Sequence, residues 1–259
     1  MKIIKLSFKY LYRIIVNNVF FIIYGKVYYR KNYKNNLKIN TLKNSLIKKK
    51  NKFNYKIFNI ENGRVCTDGV EQVAYIANNN IIDEISYTQI NGRLVSAKRN
   101  FVLEKGTPYL MKKVNGTVLS LAQGASGNNN YFHWMFDILP KIKIAISYYP
   151  RNKIDYIYMP KLQDFQKRIL KILNINFKVI DSSKFKHLSA KNIIVPEHPW
   201  YIKNRVFDEV EKLPEWIIKW LSSSFKTKPW RKKTKVFIDR SESVNKHCQL
   251  INNQEVIDY

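Results

Sequence analysis

Apolar positions recur along this chain in two rhythms. Between residues 57 and 123, short β-branched or aromatic runs alternate with turn residues: Val73-Ala74-Tyr75-Ile76, then Asn91-Gly92, then the run from Arg93 to Leu103, then Gly106-Thr107-Pro108. This predicts a strand-rich segment with a hairpin near Asn91-Gly92, because Asn-Gly supplies the positive φ values that tight hairpin turns need. Beyond residue 150 the rhythm changes. Residues 155–160, 177–180 and 192–196 read as strands, residues 163–173 as an amphipathic helix, and residues 214–221 as a short helix with Pro214 at its first position. Strands alternating with helices predict βαβ units, hence an α/β fold with a mostly parallel sheet. Residues 222–233 read as a linker, 235–239 as a new strand, and Asn252 as a helix start.

Between the two rhythms lies Asn130-Tyr131-Phe132-His133-Trp134-Met135-Phe136-Asp137-Ile138-Leu139-Pro140. It follows an apolar run, 118–123, and a small-residue loop, Gly124-Ala125-Ser126-Gly127-Asn128, so it reads as a helix leaving a strand through a glycine-bearing turn. On a helix Asn130, His133 and Asp137 fall at i, i+3 and i+7 and share a face. Pro140 should kink the helix or end its regular part. Two readings of the trio stand. In one, Asn130 caps the helix and His133 is a hydrogen-bonded core histidine partnered by Asp137. In the other, imidazole and carboxylate sit outside the carboxyl ends of the strands, where open α/β sheets bind ligands, and act as a general base pair.

Charge adds a second theme. The 259 residues carry 46 basic against 19 acidic side chains, a formal charge of +27, which implies an anionic partner or surface. Fifteen lysines and arginines precede Glu61, and no aspartate or glutamate does. Part of this is a compositional bias toward Lys, Asn and Ile. Residues 3–24 are apolar and aromatic but broken by Lys5, Lys9, Arg13 and Asn17-Asn18, too interrupted for a spanning helix and without a signal-peptide cleavage site. Such a helix either lies on an anionic membrane surface, helped by the lysines around it, or packs on the folded domain. Residues 31–56 read as a solvated linker or arm. Nucleic acid is a weak reading, since no zinc-finger spacing, basic zipper or RNA-recognition motif is present. Cys66 and Cys248 stand far apart, which suits a reducing, cytoplasmic compartment, with peripheral attachment to the inner face of a membrane compatible with the basic segment. His133, His187, His198 and His247 show no metal-ligand spacing, so no metal is expected.

The central stretch resembles the signature of glycosyltransferase family 61, Asn-aromatic-aromatic-His-Trp-x-x-Asp-x-Leu-Pro. Residues 165–175 resemble that family's next helix, Lys235-Val236-Phe237-Ile238-Asp239-Arg240 its strand ending in arginine, and Asn252-Asn253-Gln254-Glu255 its Asn-x-x-Glu helix start. The resemblance runs from about Gly127 to the end and implies a GT-B architecture of two Rossmann-like domains, with acceptor on the first and nucleotide sugar on the second. Residues 1–56 would then be a basic helix and arm, 57–224 the acceptor-side domain and 234–259 the incomplete start of the donor-side domain. It implies sugar transfer, with inversion, from a nucleotide sugar to a glycan hydroxyl in surface-polysaccharide assembly. His133 would be the base and Asp137 would orient it or exchange roles with it. Substrate would meet Asn130, Trp134, Arg240, Lys246, Asn252 and Glu255. Two departures stand out: Lys246 and His247 replace the family's paired arginines, and the sequence stops at Tyr259 where the family's second domain continues. A fragment, a split enzyme or a degraded copy is therefore expected, the last acting as a glycan- or membrane-binding module.

Overall fold

The structure is a computed structural model that describes residues 14–31, 37–42, 55–90, 93–122, 130–200, 213–225 and 254–255. Contacts divide the chain into two units, Met1–Ser224 and Phe225–Tyr259. Arg240, Lys246, Asn252 and the strand expected at 235–239 lie outside the described residues. In the second unit Gln254 and Glu255 form an exposed helical turn.

The first unit is mixed α/β, built on one eleven-stranded sheet with few helices. Its strands are β1 (Leu37–Leu42), β2 (Tyr55–Glu61), β3 (Arg64–Thr67), β4 (Gln72–Ala77), β5 (Asn80–Ile81), β6 (Tyr87–Ile90), β7 (Arg93–Val95), β8 (Met111–Ser120), β9 (Tyr156–Met159), β10 (Lys178–Asp181) and β11 (His187–Pro196). The central strands are parallel and run in the order β10-β9-β8-β11. The chain steps outward from β8 to β10 and then returns to the other side of β8 as β11. The sheet therefore changes direction between β8 and β11, a topological switch point. β10 and β11 are joined by residues 182–186 without a helix, unlike the doubly wound pattern.

Antiparallel strands extend this parallel centre, as the turn-punctuated rhythm of residues 57–123 predicts. β6 and β7 form the expected hairpin around Asn91-Gly92, with Ile90 opposite Arg93. Both faces of β4 are covered. Val73, Tyr75 and Ala77 enter one apolar cluster and Ala74 and Ile76 another, the period-two alternation of a strand buried on two sides.

The helices are α1 (14–24), α2 (Phe101–Lys105), α3 (131–148), α4 (Asp164–Ile172) and α5 (Glu215–Ser224). Three sequence expectations change. Part of the supposed arm is β1, which pairs with β2 from Tyr55 to Ile60; its Lys and Asn residues hide a strand whose Leu37 packs on the core. The run from Arg93 to Leu103 is only briefly extended. Ser96 and Asn100 each accept a backbone N–H two residues on, and these local caps turn the chain into a 3₁₀ turn and then α2. Finally Ser222–Ser224 continue α5 instead of starting a linker.

Candidate active site

β8 ends at Ser120, and its end is held by one buried phenol. The Tyr75 hydroxyl lies 2.8 Å from the Ser120 hydroxyl and donates to the Ala122 carbonyl at 2.7 Å. Residues 123–129 lie outside the described residues, and the chain is described again at Asn130, which opens α3. The Asn130 Oδ1 accepts the backbone N–H groups of Phe132 and His133 at 2.9 and 3.3 Å, so its side chain serves as the helix cap.

α3 is not uniform. Residues Tyr131–His133 and Leu139–Tyr148 are α-helical, whereas Trp134–Ile138 form a π-helical turn in which the Leu139 N–H reaches back five residues to the Trp134 carbonyl. Pro140 supplies the cause. It has no N–H to offer the Phe136 carbonyl, and its ring crowds that carbonyl in a regular α-helix, so the turn widens. The freed carbonyl accepts the Trp200 indole N–H at 2.9 Å instead. The expected kink is thus a π turn, with His133 and Asp137 at its start and within it.

Here the two polar groups meet. His133 Nδ1 lies 2.7 Å from Asp137 Oδ2. The His133 side chain is 31% exposed while that of Asp137 is fully buried, so the imidazole faces outward and the carboxylate stands behind it. Because an ionised carboxylate only accepts, Nδ1 carries a proton, and in the neutral ring the lone pair is on Nε2.

A third group, which the spacing of the histidines does not reveal, closes on Asp137 from β11. His198 follows the end of that strand, and its Nε2 lies 3.7 Å from Asp137 Oδ2. The Trp200 backbone N–H donates to His198 Nδ1 at 3.3 Å, which places the ring proton on Nε2, facing the carboxylate. The segment is fixed from below as well, since the Trp216 indole donates to the Tyr55 hydroxyl at 2.8 Å and that hydroxyl donates to the Pro199 carbonyl at 2.9 Å. Only the fold brings residues 133 and 198 together.

A fourth group lies one turn further along α3. Lys141 is fully buried; its ammonium sits 5.2 Å from the centre of the Tyr87 ring and has no hydrogen-bond partner among the described residues. Burial pulls its pKa down to about 7, partly opposed by Asp137. Burial likewise holds the His198 imidazole at about 4, against the pull of Asp137. For Asp137, burial alone would raise the carboxyl, but His198 and His133 together outweigh it and keep the group below its ordinary value. Since His198 is neutral over most of the pH range, it stabilises the carboxylate as an aimed N–H and not as a cation.

No family model matches the chain, and no curated protein or solved structure matches it. The site has a defined place in the fold. It lies beyond the carboxyl ends of β8 and β11, at the switch point of the parallel strands, where open α/β sheets bind ligands.

Trp134 is corrected by the structure. It is fully buried, because in α3 it points into the core, so it cannot stack on a sugar or base. The exposed aromatic rings near His133 are Tyr131 and Phe132, the latter edge-on to the His133 ring at 5.6 Å. Full burial of Asp137 also removes it as a base exchanging roles with His133. Among the described residues no group of His, Cys, Asp and Glu is arranged to hold a metal ion. Cys66 is buried, and burial pushes its thiol well above the ordinary range, so it is no nucleophile. A surface pocket of about 510 Å³ lined by Arg151, Asp155, Asn174 and Lys178 opens at the other, amino-terminal ends of β9 and β10, away from this chemistry.

Proposed function

We propose that the protein is a glycosyltransferase that moves a sugar from a nucleotide-sugar donor to a glycan hydroxyl, in surface-polysaccharide assembly. One observation carries the reading: a partly exposed imidazole held at 2.7 Å by a buried carboxylate, at the switch point of a parallel sheet. The resemblance of residues 130–140 to the glycosyltransferase family 61 signature supplies the reaction class.

In this reading the acceptor hydroxyl oxygen attacks the anomeric carbon and the bond from that carbon to the diphosphate oxygen breaks. The hydroxyl proton passes to His133 Nε2, and the electron pair leaves with the nucleoside diphosphate. Asp137 stabilises the imidazolium that forms, and His198 holds Asp137. Tyr131 and Phe132 replace Trp134 as the aromatic surface for a sugar ring. Arg240 and Lys246 offset the charge of the departing diphosphate, with Asn252 and Glu255 near the nucleotide and Asn130 setting the start of α3.

The test is release of nucleoside diphosphate from a panel of nucleotide sugars in the presence of glycan acceptors. His133→Ala abolishes release, whereas His187→Gln, remote from the site, retains it. Release that survives His133→Ala removes this histidine from the chemistry. Saturable glycan binding without turnover of any donor replaces the enzyme with a binding module.

A further inference from the structure

α1 has two apolar faces, and among the described residues only one of them is used by the fold. On the inner face, the Tyr24 ring meets His187 edge-on at 4.9 Å, and the Tyr24 hydroxyl accepts the Met111 backbone N–H at 3.0 Å. Arg64 donates to the Tyr24 carbonyl at 3.1 Å. Phe21 lies so close over Gly106 that a Cβ there would meet its ring at 2.8 Å. These contacts fix the helix on the domain, as one of the two sequence readings expects. On the outer face stand Ile15, Val19, Ile22 and Ile23, spaced i, i+4, i+7 and i+8, and they are 54%, 45%, 84% and 57% exposed. A single exposed isoleucine is ordinary, whereas an aligned row of four marks a surface that meets something.

We infer that this outer face of α1 inserts into the interfacial layer of an anionic lipid bilayer while the inner face holds the domain to it. Charge selects this occupant. Lys26, one turn beyond Ile22, is exposed, as are Arg30 and Lys31. The sequence up to Glu61 adds further lysines and no acidic residue, so the apolar row is bordered by cations that an anionic leaflet attracts. A second copy of the chain is a poor occupant, because pairing the row with itself brings together two chains of charge +27. The described part of the helix is too short to span. The eleven helical residues 14–24 extend roughly 16 Å, about half a bilayer core of ~30 Å, and no helix among the described residues is long and apolar enough to cross a membrane. The helix therefore lies in the interface plane. This inference does not depend on the proposed sugar transfer.

The experiment is co-sedimentation of the full chain with vesicles of phosphatidylcholine, with and without phosphatidylglycerol. Binding is expected only to the anionic vesicles and weakens with salt. The combined variant Ile15→Gln, Val19→Gln, Ile22→Gln and Ile23→Gln, checked by circular dichroism for its fold, loses affinity by at least about tenfold. In a separate variant, Ile22→Trp, the added emission shifts to shorter wavelength on anionic vesicles and is quenched by brominated acyl chains. Wild-type affinity in the combined variant, or an Ile22→Trp emission that does not move on vesicles that bind the protein, overturns the inference. So does a dimer in light scattering that the combined variant converts to a monomer.

Discussion

The Trp200 indole N–H donates to the Phe136 carbonyl at 2.9 Å, sixty-four residues away in sequence and one turn before the proline that leaves this carbonyl without a helical donor. This bond joins the segment that follows β11 to the π turn that follows β8. It brings His198 and Asp137 to the same place, so a proline in one helix and a tryptophan in a remote loop jointly set the distance between an imidazole and a carboxylate.

The two residues should therefore be energetically coupled. Trp200→Phe leaves the Phe136 carbonyl without a partner and costs about 1–2 kcal/mol. In a Pro140→Ala background the same substitution costs less, because the new backbone N–H at position 140 can take the carbonyl and return the turn to α-helix. Urea melts of the four species of this double-mutant cycle measure the coupling. Strict additivity would show that Trp200 does not stand in for the missing donor.

Asp137→Asn keeps the volume but exchanges an acceptor for an amide that can donate to His133 Nδ1, which favours the wrong tautomer. If His133 is the base, kcat for sugar transfer falls by roughly 10²–10⁴-fold with little change in KM. Steady-state kinetics at several acceptor concentrations separates the two constants. An unchanged kcat would leave Asp137 only a structural part.

Much of this arrangement is legible from the residues. The strand ending near residue 120, the helix opening at Asn130 and the βαβ rhythm after residue 150 follow from apolar periodicity, and the capping role of Asn130 follows from its type. What escapes is non-local. Nothing in the spacing of His198 couples it to Asp137, because the pairing depends on β11 lying beside β8. Lys141 reads as an ordinary helical lysine until burial is known. Trp134 reads equally as a core residue or as a surface for a sugar, because an exposed helix start and a buried one look alike in sequence, and only its burial in the fold decides. One signal was available: Pro140 implies an orphaned carbonyl at position 136, and an orphaned carbonyl calls for a donor from elsewhere in the chain.

Acid should destabilise the protein through His187 as well as through the site. Burial lowers the His187 imidazole from 6.5 to about 4, opposed by the Tyr109 carbonyl that accepts from its Nδ1 and aided by Arg64. The Tyr24 ring packs on its other side. A depressed histidine means that the unfolded chain binds the extra proton between pH 6.5 and 4, so stability is full above that window and falls through it. The loss from this group is on the order of 3 kcal/mol. Denaturant midpoints of wild type and His187→Gln across the window should converge as pH falls, and parallel curves would show that His187 protonates without cost in the native state.

Lys141 should produce the opposite edge of the profile. Its pKa, drawn down from 10.5 to about 7 by burial against the attraction of Asp137, means that the unfolded chain holds a proton between pH 7 and 10.5 that the native state has largely released. Native stability attributable to this group therefore rises with pH across that window, by on the order of several kcal/mol. Replacing it by Met, close in volume and without charge, removes the cost of burying the ammonium. The His133 hydrogen bond to Asp137 is left in place, so no buried carboxylate is stranded. Lys141→Met is expected to melt above wild type near pH 7 and to approach it toward pH 10. A variant that melts below wild type at neutral pH, by an amount that does not change with pH, would mean that the lysine holds α3 and Tyr87 through its packing and not as a charge awaiting relief.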